Sequence, residues 1–158
     1  MRIGIGIDAH RFVEGRPLFL GGVEVPFSMG LAGHSDADVV LHALMDALLG
    51  ASGGGDIGEM FPDTDGAYEG ISSLELLARV METVRGRGYG VVNADVAVMC
   101  EQPRIAPQSL AMAARMAAAM GLDDRAVAVK GTTMEGMGFT GRGEGIAAIA
   151  SVLLEEIG

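Results

Sequence analysis

The segment from Gly33 to Gly50 contains the pattern that most restricts how this chain can fold. Its residues predict a helix that is apolar around almost its whole circumference, and such a helix is normally buried. Asp38, His42 and Asp46 nevertheless recur at every fourth position, so they form one polar stripe along the helix. Burying two carboxylates and an imidazole is costly unless they are compensated, and a bound cation is the simplest compensation. A stripe that faces solvent is the alternative.

Both ends of this helix carry the signals that usually begin and end helices. Ser35, followed three residues later by Asp38, matches a capping box, and Gly50 is typical of the position where a helix stops. We therefore predict a helix that begins after Ser35 and ends at Gly50.

Length and composition narrow the class of protein. The chain has 158 residues, of which 49% are hydrophobic, so we expect one domain, residues 1–158, with a substantial core and no membrane span. A net charge of −10 argues against nucleic acid or an anionic membrane as a partner, and it opposes diphosphate binding unless cations act locally. A single cysteine, Cys100, and the absence of a signal peptide predict a cytoplasmic location.

A second group of possible metal ligands lies near the N-terminus. Isoleucine alternates with smaller or polar residues from Ile3 to Ile7, which predicts a β-strand, and Asp8 and His10 lie on the face opposite the isoleucines. With His42 they would supply two imidazoles and a carboxylate, a common ligand set for a catalytic zinc ion with an open fourth position. A solvent-exposed Asp–His pair is the alternative.

The rest of the chain alternates strand and helix patterns. We predict a hairpin over 17–26 that turns at Gly21-Gly22, a helix from Ser72 to Gly86, a strand over 91–99, a helix over 108–120 and a strand over 126–132. Residues 146–156 fit either a strand or a helix. The glycine- and acid-rich segment 53–65 predicts a loop, either a ligand-contacting loop or a plain linker. This order predicts an α+β fold (an α/β sandwich), with a mixed sheet and helices packed on one face.

Several motifs then coincide in order along the chain. They are Asp8-Ala9-His10, the run from His34 to His42, Gly55-Asp56-Ile57-Gly58 with 61–65, and 132–135 with 138–145. Together they resemble the 2-C-methyl-D-erythritol 2,4-cyclodiphosphate synthase family over essentially the whole chain. The resemblance implies conversion of 4-diphosphocytidyl-2-C-methyl-D-erythritol 2-phosphate to the cyclic diphosphate, with release of CMP, in non-mevalonate isoprenoid biosynthesis. It also implies a phosphorus–oxygen lyase and a homotrimer with active sites between subunits.

The same resemblance implies roles for individual residues. Asp8, His10 and His42 would hold zinc or another divalent transition metal, and Glu135 would help to hold magnesium or manganese. His34 and Thr133 would stabilise the transition state. Substrate contacts would come from Ser35, Asp56, Ile57, Gly58, Phe61, Pro62, Asp63, Thr64 and Asp65, and from Phe139 and Arg142, which with Glu144 match the segment near the family's central cavity. Cytidine contacts would come from Cys100, Glu101, Gln102, Pro103, Arg104, Ile105, Ala106, Gly131, Thr132 and Thr133.

The chemistry explains the absence of a recognisable enzyme nucleophile. In this reaction the substrate's own phosphate attacks, so positioning and charge neutralisation carry most of the catalysis. Two other classes remain open from the residues themselves: a metal-dependent phosphohydrolase that cleaves nucleotide diphosphates with water, and a non-catalytic oligomer stabilised by metal. Asp38 or Asp46 could orient a metal-bound histidine, or either could be purely structural.

Overall fold

The computed structural model describes residues 1–158 as a five-stranded mixed sheet, a separate two-stranded hairpin and a layer of helices. The strands are β1 (Arg2–Val13), β2 (Leu18–Leu20), β3 (Val23–Val25), β4 (Gly30–Leu31), β5 (Tyr89–Met99), β6 (Val127–Thr132) and β7 (Gly145–Glu156). The helices are α1 (Val39–Ser52), α2 (Ile57–Met60), α3 (Ser73–Gly86), α4 (Ser109–Met120) and α5 (Gly138–Gly141), with 3₁₀ turns at Gly66–Tyr68, Ala106–Gln108 and Asp124–Ala126.

The order of the strands brings distant parts of the chain to one edge of the sheet. The order is β4-β1-β7-β5-β6, and only β5 and β6 pair in parallel. Because β7 is antiparallel to both β1 and β5, strands β1, β5 and β6 point in the same direction. Their registers place Asp8, Ala148, Val98 and Gly131 at one level across the sheet. The predicted metal ligands of β1 and the predicted cytidine contacts after β5 and β6 therefore lie along the same edge.

Helix α1 is the buried centre of the fold, as its apolar circumference predicts. Every residue of α1 except Asp46 and Gly50 is buried, and the helix packs on β1 and β7. Glycines in β1 allow this close packing, since a Cβ on Gly4 or Gly6 would lie 2.0 Å from a carbonyl oxygen of α1. The glycine positions of β1 thus set the distance between strand and helix, and with it the place of His42.

The predicted ends of α1 are wrong by a few residues. The helix begins after Asp38, whose side chain accepts from the backbone N–H of Leu41 at 3.0 Å, whereas Ser35 accepts from the N–H of Ala37 at 3.2 Å in the preceding turn. The helix continues through Gly50 and ends at Gly53, which has the left-handed backbone (φ 74°) of a C-terminal cap. Ser35, Asp36 and Asp38 can all cap a helix, and in the structure Asp38 is the capping residue.

Other predicted elements are confirmed with small changes. The hairpin turns at Gly21-Gly22 with φ values of 61° and 77°, Ser72 caps α3, and 146–156 is a strand. Residues 57–60, predicted to be loop, form the short helix α2. Val92 does not share the buried face of Ala94, because an irregularity between Val91 and Asn93 shifts the register there.

The two faces of the sheet differ. The helices cover one face, over a single cluster of 37 buried core residues. On the other face Ile3, Ile5 and Ile7 are 79%, 67% and 64% exposed, and Ile149 is 39% exposed. A row of large apolar side chains therefore stays uncovered within one chain, which is unusual for a monomer. None of the helices has the length and apolarity that crossing a membrane requires.

Candidate active site

Strand β1 and helix α1 together assemble three possible metal ligands. Asp8 and His10 point to the same side as Gly4 and Gly6, the side that α1 covers, and His42 lies on α1 facing them. His10 Nε2 lies 2.8 Å from Asp8 Oδ2 and 3.2 Å from His42 Nδ1, and His42 Nδ1 lies 3.2 Å from the same carboxylate oxygen. The structure therefore brings together the two imidazoles and the carboxylate that the sequence predicts as a ligand set.

The hydrogen bond made by His10 Nδ1, the ring nitrogen on the side away from Asp8, determines what Nε2, the nitrogen that faces Asp8, can do in each protonation state of the ring. His10 Nδ1 lies 2.6 Å from the carbonyl oxygen of Ala32, which can only accept, so Nδ1 carries the proton and donates it. Nε2 of the same ring then donates to Asp8 when the ring is doubly protonated, and offers a lone pair to a metal when it is neutral. A carbonyl partner on the outer nitrogen is the usual arrangement for a metal-bound histidine.

The charges of these groups reinforce one another. Burial opposes ionisation of Asp8, but hydrogen bonds and charge from His10 and His42 outweigh it and hold the pKa of Asp8 well below its usual range. Burial also disfavours the charged form of His10, yet the hydrogen bond and charge of Asp8 outweigh it and raise the pKa of His10. A proton on the imidazoles or a metal ion can neutralise this carboxylate, so the cluster fits a divalent metal.

The only basic side chains in the pocket beside the ligands are histidines. Its cavity of about 240 Å³ is lined by Asp8, His10, Gly33, His34, Ser35, His42, Ile57, Gly58, Phe61, Asp63, Tyr68 and Leu76, with no lysine or arginine. His34 Nε2 is buried with no hydrogen-bond partner in the protein. A pocket that is to hold an anion therefore needs a cation, and the three ligands supply the place for one.

The polar stripe of α1 is compensated differently from the prediction. Asp38 is fully buried, and its carboxylate accepts from the backbone N–H groups of Gly21 and Gly22 in the hairpin turn and of Leu41. Burial raises the pKa of Asp38 despite these bonds. Asp46 accepts from the N–H of Ile57 at 2.9 Å. Neither carboxylate makes a hydrogen bond to a ring of the histidine pair, so neither orients a histidine by direct hydrogen bonding, and His42 is the one residue of the stripe in the metal cluster.

All ten predicted cytidine contacts line one cavity. Residues 100–106 and 131–133 surround a volume of about 360 Å³ at the ends of β5 and β6. Cys100 is buried there and donates to the carbonyl of Pro103 at 3.3 Å. Burial and the neighbouring Glu101 raise the pKa of Cys100 to about 11, so its thiol is protonated at neutral pH.

The predicted methylerythritol contacts divide into two groups. Ile57, Gly58, Phe61 and Asp63 line the metal pocket. The others, Asp56, Pro62, Thr64 and Asp65, are exposed and lie outside its lining, and Asp56 and Asp65 cap short helical turns.

Several predicted residues do not meet the metal cluster within one chain. Thr133 lines the cytidine cavity, whereas His34 lines the metal pocket. Glu135 is exposed and lines neither cavity. Phe139 lines a third cavity of about 540 Å³, and Arg142 pairs with Glu144 at 2.9 Å. One chain thus holds the parts of the predicted site in separate places.

Three residues near the metal cluster, Ser73, Asp36 and Arg16, have contacts that the sequence does not predict. Ser73 Oγ lies 3.1 Å from His42 Nε2 and donates to Asp36, although Ser73 and Asp36 are far apart in the chain. Arg16 donates to the carbonyls of Gly33 and Ser35, on both sides of His34. These contacts depend on tertiary packing. A serine at the start of a helix and an isolated arginine do not by themselves predict contacts near a metal site.

The fold and the site define an α/β protein with a cluster of possible metal ligands and a separate cavity along one edge of its sheet. Residues 1–155 match the YgbB family, and the chain belongs to that family.

The chain is 56% identical over 158 residues to the 2-C-methyl-D-erythritol 2,4-cyclodiphosphate synthase of Pelotomaculum thermopropionicum, covering 100% of this chain and 98% of that one. Its fold matches the bifunctional IspDF of Campylobacter jejuni with a TM-score of 0.95 and 44% identity, covering 99% of this chain and 42% of that longer chain. It matches a CDP-bound 2C-methyl-D-erythritol-2,4-cyclodiphosphate synthase with a TM-score of 0.89 and 38% identity, covering 98% and 100%. The family resemblance and the synthase function predicted from the sequence are confirmed, and these relatives do not favour the phosphohydrolase alternative.

Proposed function

We propose that this chain converts 4-diphosphocytidyl-2-C-methyl-D-erythritol 2-phosphate to 2-C-methyl-D-erythritol 2,4-cyclodiphosphate and CMP, as a phosphorus–oxygen lyase of isoprenoid biosynthesis. The observation that carries the proposal is the cluster of Asp8, His10 and His42 beside a pocket without lysine or arginine. A metal-neutralised pocket suits a reaction that brings anionic oxygen to anionic phosphorus. We assign the reaction to the cytoplasm, since one buried thiol, Cys100, fits a reducing compartment.

We assign zinc, or another divalent transition metal, to Asp8, His10 and His42, because two imidazoles and one carboxylate are its usual ligands. We assign magnesium or manganese to a site that includes Glu135, whose exposed carboxylate has no partner within the chain. When bound, the two cations would neutralise phosphate oxygens and polarise the phosphorus that is attacked. The protein's own part is to hold the ligands in place and to keep the attacking phosphate oriented.

The remaining roles follow the two cavities. His34, with a free buried Nε2, and Ser35 would donate to phosphate oxygens in the metal pocket. Residues 56–58 and 61–65 would hold the methylerythritol part, and residues 100–106 and 131–133 the cytidine that leaves as CMP. Thr133, at the rim of the cytidine cavity, would act with His34 on the transition state, and Phe139 and Arg142 would line the centre of the assembly.

We propose that the protein is a homotrimer whose sites lie between subunits. Within one chain Asp8 and Gly131 are three strand spacings apart, about 14 Å, and the buried side chains of Ala148 and Val98 lie between them. A substrate in one chain's cytidine cavity therefore cannot reach that chain's metal ligands through the packed core. The exposed row of Ile3, Ile5 and Ile7 provides an apolar face for contact with neighbouring chains.

Phosphorus NMR of the products tests the activity most directly. Incubation of the cytidylyl substrate with the zinc- and magnesium-loaded protein should yield CMP and a cyclic diphosphate. A linear phosphorylated product would identify a phosphohydrolase instead. No turnover, together with a melting temperature that falls on chelation, would identify a metal-stabilised oligomer without catalytic activity.

A mixing experiment tests whether sites are shared. His42→Ala removes the metal side, and Thr132→Arg blocks the cytidine cavity, so each variant alone should be inactive. If the two are unfolded and refolded together in equal amounts, an intact metal side meets an intact cytidine side at roughly a quarter of the interfaces of a closed ring. Activity should return to about that fraction of wild type. Mixed trimers that remain inactive would place both halves of the site in one chain.

A further inference from the structure

The outer nitrogen of the His42 ring has two hydroxyl neighbours. His42 Nε2 lies 3.1 Å from Ser35 Oγ and 3.1 Å from Ser73 Oγ, on the side of the ring away from Asp8. Ser73 is the first residue of α3 and is completely buried. A buried hydroxyl next to a histidine nitrogen can either donate to it or accept from it, and the choice decides which ring nitrogen carries the proton.

The contact of Ser73 with Asp36 settles the direction of its hydrogen bond. Ser73 Oγ lies 2.5 Å from Asp36 Oδ1, and a carboxylate can only accept, so the single hydroxyl proton of Ser73 points to Asp36. Asp36 also accepts from the backbone N–H groups of Ser73 at 2.9 Å and Asp38 at 3.2 Å, so it acts as an acceptor in every contact. Towards His42, Ser73 therefore presents a lone pair.

The second hydroxyl leaves the choice open. Ser35 Oγ accepts from the N–H of Ala37, and its own proton has no other acceptor in the protein. Ser35 could thus donate to His42 Nε2 or accept from it. Ser73 cannot donate, so Ser73, held by Asp36, offers an acceptor to His42 Nε2. Asp8 Oδ2 offers another acceptor to Nδ1 at 3.2 Å, in the place where a metal would bind.

We propose that Ser73 and Asp36 form a positioning pair that accepts a hydrogen bond from His42 Nε2–H, and so supports the form of the ring whose Nδ1 can bind a metal beside Asp8. The proposal rests on the metal site proposed above. Carboxylates commonly orient metal-bound histidines by direct contact; here a buried serine connects the carboxylate of Asp36 to the ring. Ala32 does the same for His10 from the other side, so each histidine of the cluster has its outer nitrogen held by an acceptor.

Ser73→Ala tests the pair, and the adjacent Ser72→Ala is the matched control. Ser72 caps α3 through the N–H of Leu74 and does not contact His42, so its loss should lower the melting temperature and leave zinc affinity unchanged. Ser73→Ala should weaken zinc binding about 10- to 100-fold, the range found for partners of metal-bound histidines. Affinity is measured by competition with a chromogenic chelator. Ser73→Thr keeps a hydroxyl and should recover part of the affinity.

A spectroscopic measurement separates this proposal from the metal assignment. Two-bond ¹H–¹⁵N spectra of the metal-free protein report which nitrogen of His42 carries the proton. Wild type should carry a proton on Nε2 whatever the state of Nδ1 beside Asp8, and Ser73→Ala should shift that proton from Nε2 towards Nδ1. If wild type binds no zinc but Ser73→Ala still lowers the protonation of Nε2, the metal assignment fails and the positioning pair stands. A wild type without a proton on Nε2, or zinc affinity and Nε2 protonation that are unchanged in Ser73→Ala, overturns the pair.

Discussion

The two halves of the proposed site, the metal side and the cytidine side, are built in different ways. On the metal side, Asp8, His10 and His42 expose only 26%, 17% and 11% of their side chains, and the outer nitrogen of each histidine has a hydrogen-bond partner. On the cytidine side, Gly131, Thr132 and Thr133 are exposed, as is the nearby Glu135. The metal side is therefore largely buried and held by hydrogen bonds, whereas these residues of the cytidine side lie on an exposed surface.

The difference indicates which half a single chain can complete. A ligand set works only if its geometry is held before the metal arrives, and the hydrogen bonds of β1, α1 and α3 provide that within one chain. The exposed residues of the cytidine side have groups that can contact a ligand, but few hydrogen bonds within the chain hold those groups in place. We therefore expect substitutions on the metal side to act through metal affinity, and those on the cytidine side to act through substrate, magnesium and the neighbouring chain.

Removing one ligand should give the largest effect. His42→Ala leaves only Asp8 and His10, so zinc affinity should fall by more than about 100-fold, beyond the range for outer partners, and turnover should be lost with it. Circular dichroism should show that the fold is largely kept, because the core around α1 is otherwise unchanged. Metal analysis that finds full zinc occupancy in this variant would remove His42 from the site.

Cys100, a buried residue of the cytidine cavity, provides the second contrast. The pKa of Cys100 is raised from 9.0 to about 11, so at pH 8 its thiolate fraction should be about 100-fold lower than that of an ordinary cysteine. Alkylation by iodoacetamide, followed by mass spectrometry, should be correspondingly slow, and the rate should keep rising between pH 9 and 11. The urea-unfolded protein should reach half of its maximal rate near pH 9 and level off above that pH. The same plateau in the folded protein would show that the thiol is not shielded.

The same division explains what the sequence could predict. The metal ligands depend on local periodicity, since strand alternation sets the side on which Asp8 and His10 lie and helical spacing sets that of His42. The cytidine contacts followed from family resemblance, and the structure brings all ten around one cavity. Their binding roles remain predictions.

What could not be predicted depends on contacts between distant residues. The compensation of Asp38 comes from amide groups in the turn of a hairpin, at Gly21 and Gly22, and not from a cation. The Asp36–Ser73 contact joins residues 37 positions apart. A register shift between Val91 and Asn93 turns the side chain of Val92 away from the buried face of β5 on which Ala94 lies. None of these leaves a pattern in the local sequence.

Arg16 tests how firmly the metal side is held from outside. Its guanidinium donates to the carbonyls of Gly33 at 2.7 Å and Ser35 at 2.5 Å, which flank His34. Arg16→Met should leave His34 less well positioned and lower kcat about tenfold, equivalent to ~1.4 kcal/mol, with zinc content unchanged. Arg16→Lys can keep one of the two bonds and should fall in between.

The control for Arg16 is a surface arginine with a similar charge. Arg125 has a side chain that is 92% exposed and pairs only with Asp123, so Arg125→Met should leave kcat unchanged. Steady-state kinetics of Arg16→Met, Arg16→Lys and Arg125→Met compare their kcat values with that of wild type. Equal kcat values for Arg16→Met and wild type would mean that the loop around His34 is held by its other contacts alone.

Glu135 should give the smallest effect, because it belongs to the open side. Its carboxylate is exposed, while Glu101 holds the surrounding loop by accepting from the N–H groups of Met134 and Gly136. Glu135→Gln removes one charge without changing the shape, so the magnesium concentration for half-maximal rate should rise about fivefold, or ~1 kcal/mol. Glu82→Gln removes the same charge from the exposed side of α3 and should change nothing. Because zinc binding uses only the metal side, zinc affinity should be the same in both variants. An unchanged magnesium requirement in Glu135→Gln would make Glu135 an ordinary surface acid, and a fall in zinc affinity would show that the two sides are not independent.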